Sequence, residues 1–255
     1  MSINMFSKRK LYLLLLLNGL CLAPCYSQNK RLNHTSQFWS EVDLVGRINK
    51  TLKWELDLQY SGQSLYGRLN LFRYPSQVTI RPWLHYYPLK HLRISAFWGL
   101  WYNLAIPAAG ARKYPELRTA VQANYYVPIR KHLLLNRIRP ELREIRNREG
   151  RFELVGRVRY ELKYQYLLLH DSYDQNSLYL IAQDELFANL GSEVTGTRLF
   201  DQNRIFVGFG YGVTDNIAIE TGYFNQYQFH AHDPNADMNH AWQLSLIIDG
   251  LNGKI

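Results

Sequence analysis

Three groups of residues in this chain have the types and spacings that chemistry needs. Asn33-His34-Thr35-Ser36 sets a histidine two residues before a serine, the pair that lets an imidazole take the proton of an attacking hydroxyl. His230-Ala231-His232-Asp233, with Asp237 and His240 close by, offers imidazole and carboxylate ligands for zinc or another divalent ion. His230, His232 and Asp233 are the metal candidates. Pro234 and Asn235 make that segment a polar loop, where histidines are common without a metal, so no metal is the plainer expectation. Arg137, Arg139, Arg143, Arg157, Arg159 and Lys163 fall on one side of two neighbouring segments with only Glu141, Glu153 and Glu161 to offset them. Such a wall could draw anionic phosphates. It could equally fill a narrow lumen as a salt-bridge network, which is the simpler reading. Glu185 and Glu220 lie on different segments, and no second carboxylate can be set at a glycosidase-like separation from either. Neither a Gly-x-Gly-x-x-Gly nor a phosphate-loop signature occurs, so nucleotide chemistry has no support.

The elements that must position these residues are strands. Between residues 204 and 213, Ile205, Val207, Phe209, Tyr211 and Val213 alternate with Arg204, Phe206, Gly208, Gly210 and Gly212, a period of two. After a turn at Thr214-Asp215-Asn216, Ile217, Ile219, Thr221 and Tyr223 alternate with Ala218, Glu220, Gly222 and Phe224, which makes a hairpin. Residues 52–60 and 152–166 alternate as cleanly, each with an apolar row opposite a charged one. Further strands are expected at 38–48, 77–87, 92–101, 117–127, 133–145, 178–188 and 240–249. Residues 64–74 are a weaker candidate, in which Leu65, Leu69 and Leu71 can share a face. Pro82 is tolerable only where pairing is poor. Residues 28–36 read as a polar lead-in.

Lys8, Arg9 and Lys10 precede an apolar run from Leu11 to Leu20, and Cys25-Tyr26-Ser27 supplies a cleavage region. This predicts a secretory signal peptide over residues 1–27, the run being too short to span a bilayer. A lipidated Cys25 is the competing reading. Removal of 1–27 takes away three basic and no acidic residues, lowering the formal charge from +9 to +6, and takes both cysteines with it. The mature chain, residues 28–255, then has no disulfide and no thiol chemistry. No later run is long enough for a membrane helix, so a membrane could be crossed only by a closed barrel. The 19 tyrosines and 6 tryptophans suit interfacial belts, with Tyr60, Tyr86, Trp98, Trp101, Tyr125, Tyr166, Tyr211 and Tyr223 near strand ends.

Phe200-Asp201-Gln202-Asn203-Arg204, the Gly208/Gly210 strand and Glu220-x-Gly222-Tyr223-x-Asn225-Gln226, with Asp184-Glu185-Leu186-Phe187 upstream, resemble the C-terminal signature of a domain-of-unknown-function family of bacterial outer-membrane β-barrels. The resemblance covers the last third of the chain well and the rest by pattern. It implies a fold and a compartment, and no chemistry. His34-x-Ser36 is similar in arrangement to the His-x-Ser element of outer-membrane phospholipases, with Gln37 where that family has glycine.

The expected fold is therefore all-β, a single antiparallel transmembrane barrel with its apolar rows turned to lipid. Twelve strands, counting residues 64–74, return both chain ends to one side, and ten is the alternative. The expected role is non-enzymatic: structural, binding, or passage of small solutes, with no cofactor. The expected partners are outer-membrane lipid, lipopolysaccharide and the barrel-assembly machinery, and not nucleic acid. A lipid-modifying enzyme, with His34, Ser36 and His240 as its first suspects, and a soluble periplasmic ligand-binding barrel are the alternatives.

Overall fold

The computed structural model describes residues 31–109, 114–147, 149–170, 172–192, 194–230 and 235–251. The expected signal peptide, both cysteines, His232 and Asp233 lie outside them. Eleven strands run as β1 Leu32–Arg47, β2 Leu52–Gln63, β3 Tyr74–Leu89, β4 Leu92–Asn103, β5 Tyr114–Ile129, β6 His132–Arg146, β7 Phe152–Leu169, β8 Leu178–Asn189, β9 Phe200–Thr214, β10 Ile217–Phe229 and β11 Ala236–Asp249. Each pairs with its sequence neighbours, and β1 pairs with β11 to close the barrel. The described residues contain one 3-10 turn, Pro107–Ala109, and no α-helix.

Twelve strands, or ten, is thus corrected to eleven. Residues 64–74 do not form a strand of their own. Gly67 takes a φ of 68°, its N–H and that of Ser64 bond back to the carbonyls of His34 and Ser36, and a second turn closes from Arg73 N–H to the Asn70 carbonyl. Leu65, Leu69 and Leu71 have the parity of one strand face, but the turns at Gly67 and Asn70 interrupt the extended backbone between them. An odd count also forces the closing pair to be parallel. Leu32 faces Ala236 and Val45 faces Asp249 in one direction, where an antiparallel closure was expected. β1 begins at the end of the barrel with the longer connections, and β11 finishes at the end with the tight turns. The lead-in is shorter than expected as well, because Asn33–Ser36 already lie in β1.

The alternation places the side chains as the periodicity implies. On β9, Ile205, Val207, Phe209, Tyr211 and Val213 are exposed, while Phe206 is buried. Aromatic residues form a girdle at the tight-turn end, where Tyr86, Tyr125, Tyr166 and Tyr211 stand opposite the first residues of β2, β4, β6 and β8. Trp101 is a correction: it is 5% exposed and faces inward, whereas Trp98 is 57% exposed and faces out. Nearness to a strand end does not decide orientation; parity along the strand does. Pro82 pairs with Leu56 on one side, but the β3–β4 ladder skips Arg81 and Pro82. Pro140 does the same on β6, paired to Val158 and missing from the β5–β6 ladder, as expected of a residue without an N–H to give.

Gly208 and Gly222 face each other across β9 and β10. A Cβ on Gly222 would lie 2.4 Å from the Val207 carbonyl oxygen and 2.8 Å from the Phe206 ring, and one on Gly208 would meet the Thr221 carbonyl oxygen at 2.3 Å. The glycines therefore let two backbones close up beneath an inward phenylalanine. Gly222→Val should lower stability by about 1–3 kcal/mol through overpacking, whereas Val207→Ile on the exposed face should change it little. Denaturant midpoints followed by tryptophan fluorescence would check both.

Candidate functional site

The six predicted basic residues all point into the barrel from β6 and β7, and the structure supplies them with carboxylates from other strands. Arg159 makes a two-pronged pair with Glu185, Nε to Oε1 at 2.8 Å and Nη2 to Oε2 at 2.9 Å. Arg137 reaches both Glu161 and Glu185, Arg157 reaches Glu141 and Asp201, and Arg143 bonds Glu116. Lys163 lies 3.2 Å from Glu220. Arg139 stands apart: it donates Nε to Gln122 Oε1 at 2.8 Å and lies over the Trp83 ring.

Inward parity adds Arg118 and Arg204, which the sequence reading did not group with the wall. Arg118 pairs with Glu116 at 2.8 Å and stacks 4.0 Å from the Trp101 ring centre. Arg204 lies over Phe187, Trp39 and Phe224 and 3.9 Å from Glu185. Only strand register could have found these partners, since Glu185 stands opposite Glu161 on one side and Arg204 on the other. Arg118, Arg137, Arg143, Arg157, Arg159 and Arg204 share five carboxylates within ion-pair distance, Glu116, Glu141, Glu161, Glu185 and Asp201, and Arg139 adds a seventh guanidinium held by Gln122 and Trp83 instead. Arg81, which pairs with Glu41 and Asp57, brings the layer to eight arginines and seven carboxylates.

This layer separates two cavities. One, of about 470 Å³, opens toward the tight turns, and the other, of about 310 Å³, toward the longer loops. Trp39, Gln59, Arg81, Arg159 and Arg204 line both and form the partition. In the turn-end cavity the carboxylates of Glu41, Asp43 and Asp57 converge within 4.8 Å of one another. Arg81 already serves them as a cation, pairing with Glu41 and with Asp57. His85 in the same cavity bridges Ser95 at 2.8 Å and Glu55 at 3.0 Å.

Residues 36–237 match the family described as Protein of unknown function (DUF2490). The chain belongs to this family. No curated protein and no solved structure matches it. The family-motif residues divide by parity in the barrel. Glu185, Arg204, Glu220, Gly222 and Gln226 turn inward, where Glu220 takes bonds from Lys163 and Tyr179. Asp184, Asn203, Tyr223 and Asn225 turn outward, with Asn203 donating to Asp184 at 2.5 Å and Asn225 to the Tyr223 hydroxyl at 3.3 Å.

His34, Ser36 and His240 come together on that outer face. His34 Nδ1 lies 3.0 Å from His240 Nε2 with the rings stacked 8° from parallel, and His240 Nδ1 meets the Tyr223 hydroxyl. Ser36 stands opposite His240 in register. It is 8% exposed, and its N–H bonds Ser64 Oγ at 3.0 Å. Among the described residues no hydrogen bond joins the Ser36 hydroxyl to either histidine, so the contact that would activate a nucleophile is not made. Of the metal candidates, His230 pairs with Asp237 at 3.0 Å.

Glu185 is 2% exposed and within reach of three guanidinium groups. Glu185→Ala should cost about 3–5 kcal/mol, because it leaves buried positive charge without a partner. Glu149→Ala, which breaks an exposed loop pair with Arg151, should have no measurable effect. Chemical denaturation of the two variants side by side checks the difference.

Proposed function

We propose that this chain is an outer-membrane barrel with a structural or binding role and no through-passage, its lumen shut at mid-height by the arginine–carboxylate layer. The observation that carries the reading is the inversion of polarity between its faces. Outside, large apolar side chains such as Leu84, Trp98, Leu142, Leu154 and Val207 are each 49–65% exposed; inside, Arg139, Glu141, Arg157 and Glu185 are each 4% exposed or less. A barrel in water would gain by the reverse arrangement, whereas lipid rewards this one. Exposed apolar surface continuing around the barrel also exceeds what single surface residues account for.

The predicted signal peptide would deliver the chain for export, the barrel-assembly machinery would insert it, and lipid with lipopolysaccharide would surround it. The role calls for no cofactor. The unjoined Ser36 and His240 favour a non-enzymatic role over a lipid hydrolase. A continuous row of register partners, Asn136, Leu162, Asp184, Ile205, Asn225, His240 and Ser36, crosses the outer face obliquely. Its polar members satisfy one another or reach neighbouring side chains, as with Asn203 on Asp184 and Tyr160 on Asn136, which suits groups that water cannot solvate.

The purified protein should stay in solution only with detergent and should give no conductance in planar bilayers. Solubility without detergent would defeat the membrane placement, and a steady conductance would defeat the closed lumen. Single cysteines placed at Asn49, in a tight turn, and Asn70, in a loop, should label from opposite sides of the membrane in a cysteine-free background.

A further inference from the structure

The two cavities differ in charge. The turn-end cavity is lined by as many carboxylates as cationic side chains. In the loop-end cavity six arginines face it, and Glu116 is the one carboxylate among its lining residues. The other carboxylates that pair with these arginines, Glu41, Asp57, Glu141, Glu185 and Asp201, lie behind them and outside the lining of the cavity.

The hydrogen-bond accounts of this cavity are lopsided in the same sense. Arg157 Nε, Arg204 Nε, Gln202 Nε2 and Asn103 Nδ2 are buried without an acceptor, and all four residues line it. No lining residue has a buried acceptor left without a donor. The amides are oriented by their neighbours: Gln226 Nε2 donates to Gln202 Oε1 at 3.1 Å, and Gln77 Nε2 donates to Asn103 Oδ1 at 2.6 Å. In each case the amide nitrogen is left over. A buried donor without an acceptor is costly, so the cavity is short of oxygen atoms and of negative charge together. Further Gln and Asn side chains from β1, β2, β10 and β11 line the walls, with the rings of Trp39 and Tyr114.

We propose that the loop-end cavity binds a small organic anion carrying several hydroxyl groups, of the size of an acidic or phosphorylated monosaccharide, entering from the loop side. The anionic group meets the arginine floor and supplies the charged acceptors that its guanidinium groups lack on the cavity side. The hydroxyls, each both donor and acceptor, meet the amide walls. The volume of about 310 Å³ lies at the lower end of the range for small-molecule sites. An inorganic anion satisfies the floor without reaching the walls, and a neutral sugar reaches the walls without giving the floor a charged acceptor. This deepens the reading of the protein as a closed binding barrel and rests on it for the side of entry.

The test is calorimetric titration of the full chain, purified from membranes in detergent, with glucuronate, glucose 6-phosphate, inorganic phosphate and glucose. At least one charged sugar should bind ten times or more tightly than both phosphate and glucose, and which one binds better identifies the anionic group. Gln202→Glu, which adds a carboxylate in place of a free donor, should weaken that binding tenfold or more. Asn103→Asp serves the same purpose should the first variant not fold, foldedness being read from heat-resistant gel mobility. Lys53→Gln, in the turn-end cavity, should leave binding unchanged. Failure of both charged sugars to bind the folded barrel, equal binding of phosphate or glucose, or undiminished binding in the folded carboxylate variant would overturn the proposal. Detergent dependence and bilayer conductance are read separately, so loss of this site and loss of the membrane reading are distinguishable.

Discussion

The constraint on which the structure depends is charge neutrality inside a narrow closed sheet. At mid-height the side chains of eleven strands fill the interior, and guanidinium groups placed there lose most of their water. Each then needs a carboxylate or a ring face. Arg159 takes Glu185 in a two-pronged pair, Arg118 takes Glu116 and Trp101, and Arg204 lies among three aromatic rings. Because the partners come from different strands, the layer ties β5 through β9 together at mid-height. The same side chains that neutralise one another block the lumen, so stability and closure have a single cause.

The neutrality is global and not local. Acidic side chains gather on β1 and β2, where Asp43 stands directly opposite Asp57, and arginines gather on β5 to β9. Arg81 on β3 reaches across to Glu41 and Asp57 and so joins the two regions. What remains is a lumen polarised from one side to the other, with unpaired donors of Arg157, Arg204, Gln202 and Asn103 toward the loops. A fully paired interior would be a plug and nothing more. The residue of unpaired donors at one end is what separates a plug from a site.

Much of the fold was legible because the alternation is strict where both faces are demanding. On β2, β7 and β9 one row meets the outside and the other the ionic interior, and a shift of one residue would reverse both. The reading failed where a local cue stood in for parity. Residues 64–74 carry leucines at intervals that suggest a face, yet Gly67 and Asn70 turn the chain. Trp101 lies near a strand end, yet its parity sends it under Arg118. His34 and Ser36 looked like a polar lead-in because β1 is weakly patterned, although β11 holds it in a parallel ladder from Leu32 onward. The ionic layer was half legible: its basic side was visible on two adjacent segments, but the carboxylates of β5 and β8 and the arginines of β5 and β9 join it only through register, which no single segment encodes.

The family-motif residues show what that register accomplishes. Glu185 and Arg204 sit side by side and complete the ionic layer; Gly222 lets β10 close on β9; Asp184 and Asn203 satisfy each other on the outer face. These are the demands of a charged, tightly closed barrel. Gln226 is different. It gives its amide hydrogens to Gln202 and Gln228, which occupies the Gln202 oxygen and leaves the Gln202 nitrogen without an acceptor. On the proposed reading of the loop-end cavity, that oriented donor is where the motif meets the space that the barrel encloses.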